Sequence, residues 1–237
     1  MKSKSKFEKI KIQDFINSFG AKKNEFDKKI IKYIKKSNFE YTKICGKKKL
    51  DLIKQINSQL IKKKFSKSGK KRFQEWNKGW RENYIDFIKS DYNSKKLIPK
   101  YIHDDRPVRW KQNFILPKKN LLEWRFSTVF RSWLFSKYFK KVDEVYDFGT
   151  GTACHLELLS KMYPKKKLTG LDWSKYSVKI IDLLRKKKNL NIYGKEFNFF
   201  KVNNSLKLPK NTGVLTFAAL EQASKTYKNF INYLSKN

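Results

Sequence analysis

Apolar residues along this chain follow two different rhythms. Over the first seventy residues they are sparse and recur at helical steps. Phe26, Ile30, Ile31 and Ile34 can share one helix face, as can Leu50, Ile53, Ile56, Leu60 and Ile61. Gly46 and Lys47–Lys49 separate the two faces, and KKKFSKSGKK, from Lys62 to Lys71, reads as a solvated linker. From Phe73 the aromatic residues crowd in. Phe73, Trp76, Trp80, Tyr84 and Phe87 recur at three- and four-residue steps, which predicts a helix with an aromatic, core-facing stripe. KKLIPKYIHDDRPVRWKQNFILPKKN then holds three of the five prolines and reads as an ordered loop. Leu121 to Phe139 reads as one helix, with Leu122, Phe126, Val129, Phe130, Trp133 and Phe139 facing inward.

The final hundred residues change period. VDEVYDF, KKLTGLD, FNFFKV and TGVLTFAAL read as strands. Helices are expected at Ala153–Met162, Ser174–Arg185 and Tyr227–Leu234. Strands that alternate with helices imply an α/β fold, a parallel sheet with right-handed crossovers. Three regions follow: a Lys-rich helical extension over 1–70, an aromatic-rich helical cap over 71–140, and a Rossmann-like domain over 141–237.

Composition adds one strong feature. The formal net charge is +36 over 237 residues. A dense positive field attracts nucleic acid or an anionic surface. Lys, Ile, Asn, Phe and Tyr are abundant together, however, and Lys greatly outnumbers Arg, the preferred reader of bases and phosphates. The charge therefore reads chiefly as compositional. Non-specific nucleic-acid binding through the Lys-rich N-terminus stays an expected partner interaction. Cys45 and Cys154 form neither a CxxC pair nor a disulfide framework, which fits a reducing cytoplasm. His103 with Asp104, Asp105 and Arg106 is a thin metal signal, better read as a capped turn, so no metal is expected. No apolar run has the length to span a bilayer.

Candidate chemistry concentrates in VYDFGTGTACHLELLSKMYPKKKLTGLDWS, Val145 to Ser174. Gly149 and Gly151 fall where the first strand turns into the first helix. Glycine there permits positive φ and close approach of a ligand to the backbone, and the helix start offers free N–H donors. Asp172 follows the second strand, where a carboxylate can accept both ribose hydroxyls of an adenosine. A dinucleotide site would want a third glycine where Cys154 stands.

The pattern present is D-x-G-x-G-x-A, at Asp147, Gly149, Gly151 and Ala153. It resembles motif I of the class I S-adenosylmethionine-dependent methyltransferases, (D/E)-x-G-x-G-x-G, with Ala153 replacing the last glycine. GLDWS resembles motif II. The resemblance covers about Trp124 to Leu234 and implies a sheet of order 3-2-1-4 in this chain. It implies S-adenosylmethionine as cofactor, with Asp147 toward the methionine amino group. Phe148, Gly149, Thr150 and Gly151 would lie along the methionyl part, Asp172 on the ribose, and Trp173 over the adenine. VNNSLKLP resembles the station after the third strand, so Asn203, then Asn204, would lie beside the adenine. GVLTFAALEQ resembles the fourth strand and its edge, often LT-x-x-x-LEH, with Gln222 in place of His. Glu221 and Gln222 are then the candidate catalytic residues, Glu221 as base or substrate orienter, against the simpler reading of a carboxylate on a helix dipole. Tyr146 reads as core, and Cys154 and His155 as structural.

Two acceptor classes and one inactive reading stay open. A small-molecule acceptor is favoured, because TFAALEQ stands where enzymes acting on exocyclic base nitrogens carry (D/N/S)-P-P-(Y/F), and neither cysteine follows a proline. An RNA-directed enzyme and a non-catalytic cofactor-binding protein are the alternatives. Arg109, Trp110 and Arg131 are candidates for substrate contact from the cap. A class I sheet usually has seven strands, and only four are legible here. A C-terminally truncated or split enzyme is therefore expected, with an open edge at the fourth strand that could pair with a second copy or a partner.

Overall fold

A computed structural model describes residues 7–62, 68–119 and 121–237. In chain order the first elements are β1 (Glu8–Lys9), α1 (Ile12–Phe19), α2 (Lys28–Lys36), β2 (Glu40–Lys43) and α3 (Gly46–Ile61). Then come α4 (Phe73–Lys89), β3 (Val108–Trp110), β4 (Asn113–Pro117) and α5 (Leu122–Tyr138). The last group is β5 (Glu144–Phe148), α6 (Cys154–Met162), β6 (Lys167–Asp172), α7 (Lys175–Lys188), β7 (Ile192–Glu196), β8 (Thr212–Leu215) and α8 (Tyr227–Leu234). The chain forms two compact units. One comprises Met1–Lys67 with Tyr101–Leu134, the other Ser68–Lys100 with Phe135–Asn237.

The first unit departs from the helical extension read in the sequence. Its strands make an antiparallel sheet in the order β1-β2-β4-β3. The passage expected to be a loop supplies a hairpin, β3–β4, closed by Lys111 and Gln112, both at positive φ. That is the twist a two-residue hairpin needs, here without the glycine or asparagine that usually marks it. Phe15, Phe39, Ile115, Val129 and Trp133 form the core, with Phe15 and Phe39 edge-on at 5.0 Å. Phe26, Ile30 and Ile34 face that core as their spacing predicts, and Asp27 caps α2 by accepting from Ile30 N–H at 2.8 Å. The second predicted face behaves differently: α3 buries no residue, and Leu60 and Ile61 are exposed. Of the expected linker from Lys62 to Lys71, residues 63–67 lie outside the described residues, and Lys70–Arg72 form a 3-10 turn.

The second unit is an α/β layer. Four parallel strands run in the order β7-β6-β5-β8, so the third, second, first and fourth strands of this region lie side by side. Alternation along β5 divides its side chains between two faces. Tyr146 and Phe148 join Phe197, Phe230 and Tyr233 in a cluster beneath α8. Val145 and Asp147 point the other way, and Asp147 meets α6. The cluster is tightly aromatic, with Phe148 4.8 Å from Phe197 and 4.9 Å from Phe230. The third strand lies upstream of its expected place. It is Ile192–Glu196, polar and half exposed, whereas FNFFKV leaves the sheet after Glu196. An edge strand has water on one side and tolerates Lys195 and Glu196. The phenylalanines are needed to close the aromatic cluster.

Candidate functional site

The site grows from the C-terminal ends of β5 and β6, within the second unit. Asp147, one residue from the end of β5, is fully buried. Its Oδ2 lies 3.2 Å from Nδ1 of His155, and its Oδ1 is buried with no partner among the described residues. The backbone then turns through Gly149 and Gly151, both at positive φ. Space favours glycine at both, decisively at Gly149. A Cβ on Gly149 would stand 2.3 Å from the Ala219 Cβ, and one on Gly151 would stand 3.1 Å from the Trp80 ring. Ala153, the departure from the family pattern, takes the left-handed conformation at φ 59° that a glycine would hold without strain.

Asp172 closes the other side. Its Oδ2 accepts from Gly151 N–H and its Oδ1 from Ser174 N–H, each at 2.9 Å. Burial pushes its pKa up to about 6, against the lowering effect of those two N–H donors. The carboxylate thus ties the end of β6 to the glycine turn. Thr150 Oγ1 and Thr216 Oγ1, just past β8, are two further buried hydroxyls without a partner among the described residues. Three unsatisfied buried oxygens around one strand-end turn are what a polar ligand would satisfy.

The aromatic stripe of α4 covers this turn. Trp80 lies over Gly151, Trp76 stacks on Trp80 at 5.5 Å, and Phe73 meets Trp173 edge-on at 5.1 Å. Trp173 in turn stacks on Phe200 at 5.4 Å. Polar ties fix the helix and the 3-10 turn that follows it, Ser94–Leu97. Ser174 Oγ donates to Asn77 Oδ1 at 2.8 Å, and Thr152 Oγ1 donates to Leu97 C=O at 2.6 Å. Arg72 spans the front. Paired with Glu75 and lying 4.7 Å over Trp76, it donates to Gln222 Oε1 at 3.0 Å.

The structure brings together Asp147, Gly149, Thr150, Gly151, Asp172 and Trp173. The ring of Phe148 lies instead in the aromatic cluster on the opposite face of the sheet. Asn203 and Asn204 are exposed in a turn, with Asn203 accepting from Ser205 N–H at 2.9 Å. Because β7 ends at Glu196, the residue at that strand end is Asn198, which accepts from Phe200 N–H at 2.9 Å. Glu221 is exposed in a short 3-10 helix, Leu220–Thr226, and Gln222 is held by Arg72. Arg109 and Trp110 lie on β3 of the other unit, and Arg131 is buried in α5, engaged by Ser127 C=O and Thr128. The roles of Arg72 and Asn77 were not legible in the sequence. Trp80 was seen, but only as a core residue.

No protein-family model and no curated protein matches the chain. Solved structures do. Coclaurine N-methyltransferase bound to N-methylheliamine and SAH is 13% identical, with a TM-score of 0.44 over 78% of this chain and 53% of that one. The S-adenosylmethionine-dependent methyltransferase SibL is 16% identical, with a TM-score of 0.36 over 64% and 46%. PKMT2 from Rickettsia typhi, in complex with AdoHcy, is 18% identical, with a TM-score of 0.35 over 40% and 19%. The chain thus spans about a fifth to a half of the length of these structures. Among the described residues, no three His, Cys, Asp or Glu side chains converge as a metal site would need, and no helix is long and apolar enough to cross a membrane.

Proposed function

We propose that the second unit binds S-adenosylmethionine and that the protein is a methyltransferase acting on a small molecule. The observation that carries this is the bare, buried Oδ1 of Asp147 beside the Gly149–Gly151 turn, with a second buried carboxylate, Asp172, one strand away. A buried carboxylate oxygen without a donor is costly and suits a cationic amino group. Asp172 suits a ribose, whose hydroxyls would add to its present N–H donors at the carboxylate's remaining lone pairs. Trp173 and Phe200 offer a flat apolar wall for a purine. The bound cofactor would supply an activated methyl group. The chain's own residues orient it, exclude water through Trp76 and Trp80, and place an acceptor near Glu221 and Gln222. Glu221, exposed, is the available base for an acceptor that carries a proton.

Calorimetry with S-adenosylmethionine, S-adenosylhomocysteine and NAD tests the cofactor. Micromolar binding of the first two without NAD binding is expected, and the reverse order would sink the reading. Transfer of labelled methyl groups to a metabolite pool tests the acceptor class. Transfer to RNA alone would replace the small-molecule assignment.

A further inference from the structure

His155 is the one buried histidine, and nothing in the proposed function uses it. It lies in the first turn of α6, its Nδ1 stands 3.2 Å from Asp147 Oδ2, and its ring meets that of Phe217 edge-on at 5.2 Å. The charged or titratable groups around it are few: Asp147 from β5 and Cys154 beside it on α6. From the segment after β8 it meets the Phe217 ring. Asp147 is therefore a carboxylate with one oxygen engaged and one bare.

Resting on the cofactor reading above, we infer that His155 is the positioning residue of Asp147: it holds Oδ2 so that Oδ1 alone receives the cofactor's amino group. The geometry imposes a second consequence. Two cationic donors then share one buried carboxylate, and each weakens the other's hold on it. Burial opposes protonation of His155, but Cys154 and Asp147 outweigh it and raise its pKa to about 9, which favours the charged imidazole in the unliganded protein. An incoming ammonium lowers that pKa. By linkage, affinity for the ligand rises with pH between the His155 pKa of the complex and that of the free protein.

The test follows the imidazole signals of the whole protein by NMR titration with and without S-adenosylhomocysteine. The chain has two histidines, so His103 is the internal reference, assigned with His103→Gln. The His155 midpoint is expected to fall by about one pH unit with S-adenosylhomocysteine, a tenfold linkage. Methylthioadenosine, which lacks the amino acid part, should leave it in place. The conservative variant His155→Gln should keep binding but lose the rise in affinity between neutral and alkaline pH. An unmoved His155 midpoint in a protein that binds S-adenosylhomocysteine overturns the inference and leaves the cofactor reading standing. So does a wild-type pH profile in His155→Gln. Absence of S-adenosylhomocysteine binding at every pH overturns the cofactor reading itself.

Discussion

Asp172 and His155 are both buried ionisable groups whose folded pKa values are raised, and both therefore make stability fall as pH rises. For Asp172 the unfolded carboxyl titrates near its ordinary value and the folded one at about 6. The folded state holds the extra proton between those values, so stability is lost across that window, by on the order of 3 kcal/mol. Thermal unfolding should show Asp172→Asn gaining on wild type as pH rises from about 4 to about 7. A constant difference would mean that the group is not desolvated in the folded protein. For His155 the unfolded group titrates near 6.5 and the folded one at about 9. Its contribution is complete below the unfolded value and is lost as pH rises through the folded one. In unliganded protein, His155→Gln should flatten the decline of the melting temperature across that interval. Gly149 gives a third test, this one steric. Gly149→Ala places a methyl against Ala219 at a backbone angle alanine resists, at a cost of about 2 kcal/mol. The double variant Gly149→Ala with Ala219→Gly should recover the steric part and not the backbone part.

Elements set which of these residues meet. Period-two alternation in β5 is why Asp147 reaches α6 while its neighbours Tyr146 and Phe148 pack beneath α8. The aromatic stripe of α4 was legible from its spacing, but spacing gives a face and no partner. The structure lays it over Gly151 and along α7, so one stripe serves packing and covers the candidate site. Arg72 and Gln222 link the front of α4 to the segment after β8 across 150 positions. A double-mutant cycle with Arg72→Met and Gln222→Ala should give a coupling of about 1 kcal/mol in stability. A zero coupling would reduce Arg72 to its contacts with Glu75 and Trp76. The missed β3–β4 hairpin and the displaced third strand share one cause. All three strands are short, β7 is polar and β4 ends in a proline, so each resembles a loop, and β4 and β7 are completed only by strands distant in sequence, β2 and β6.

At the scale of the molecule, the charge of +36 makes a prediction of its own. Binding to RNA or heparin should be independent of sequence and should fall steeply from low to physiological salt, as counterion release requires. Tight, salt-resistant and sequence-selective RNA binding would instead make the charge functional. Removing residues 1–68 is not a clean test of where this binding resides. That cut takes β1 and β2 out of a sheet whose other strands lie beyond residue 100.

The sequence by itself determined the α/β character of the final hundred residues, the glycine turn, and the two carboxylates that flank it. These follow from local rules: strand and helix periods, and the need for glycine where φ turns positive. Tertiary structure alone decided the rest. The expected helical extension became one half of a discontinuous unit, because β2 completes its pairing only with β4, some seventy residues away. Asn203 and Asn204 fall in an exposed turn because the sheet took a polar segment as its edge strand and kept the phenylalanines for the core. His155, an ordinary residue in the sequence, acquired its carboxylate partner only when β5 and α6 closed on each other. Periodicity records which face of an element is apolar. Which face of another element it meets is set by the balance of burial over the whole chain.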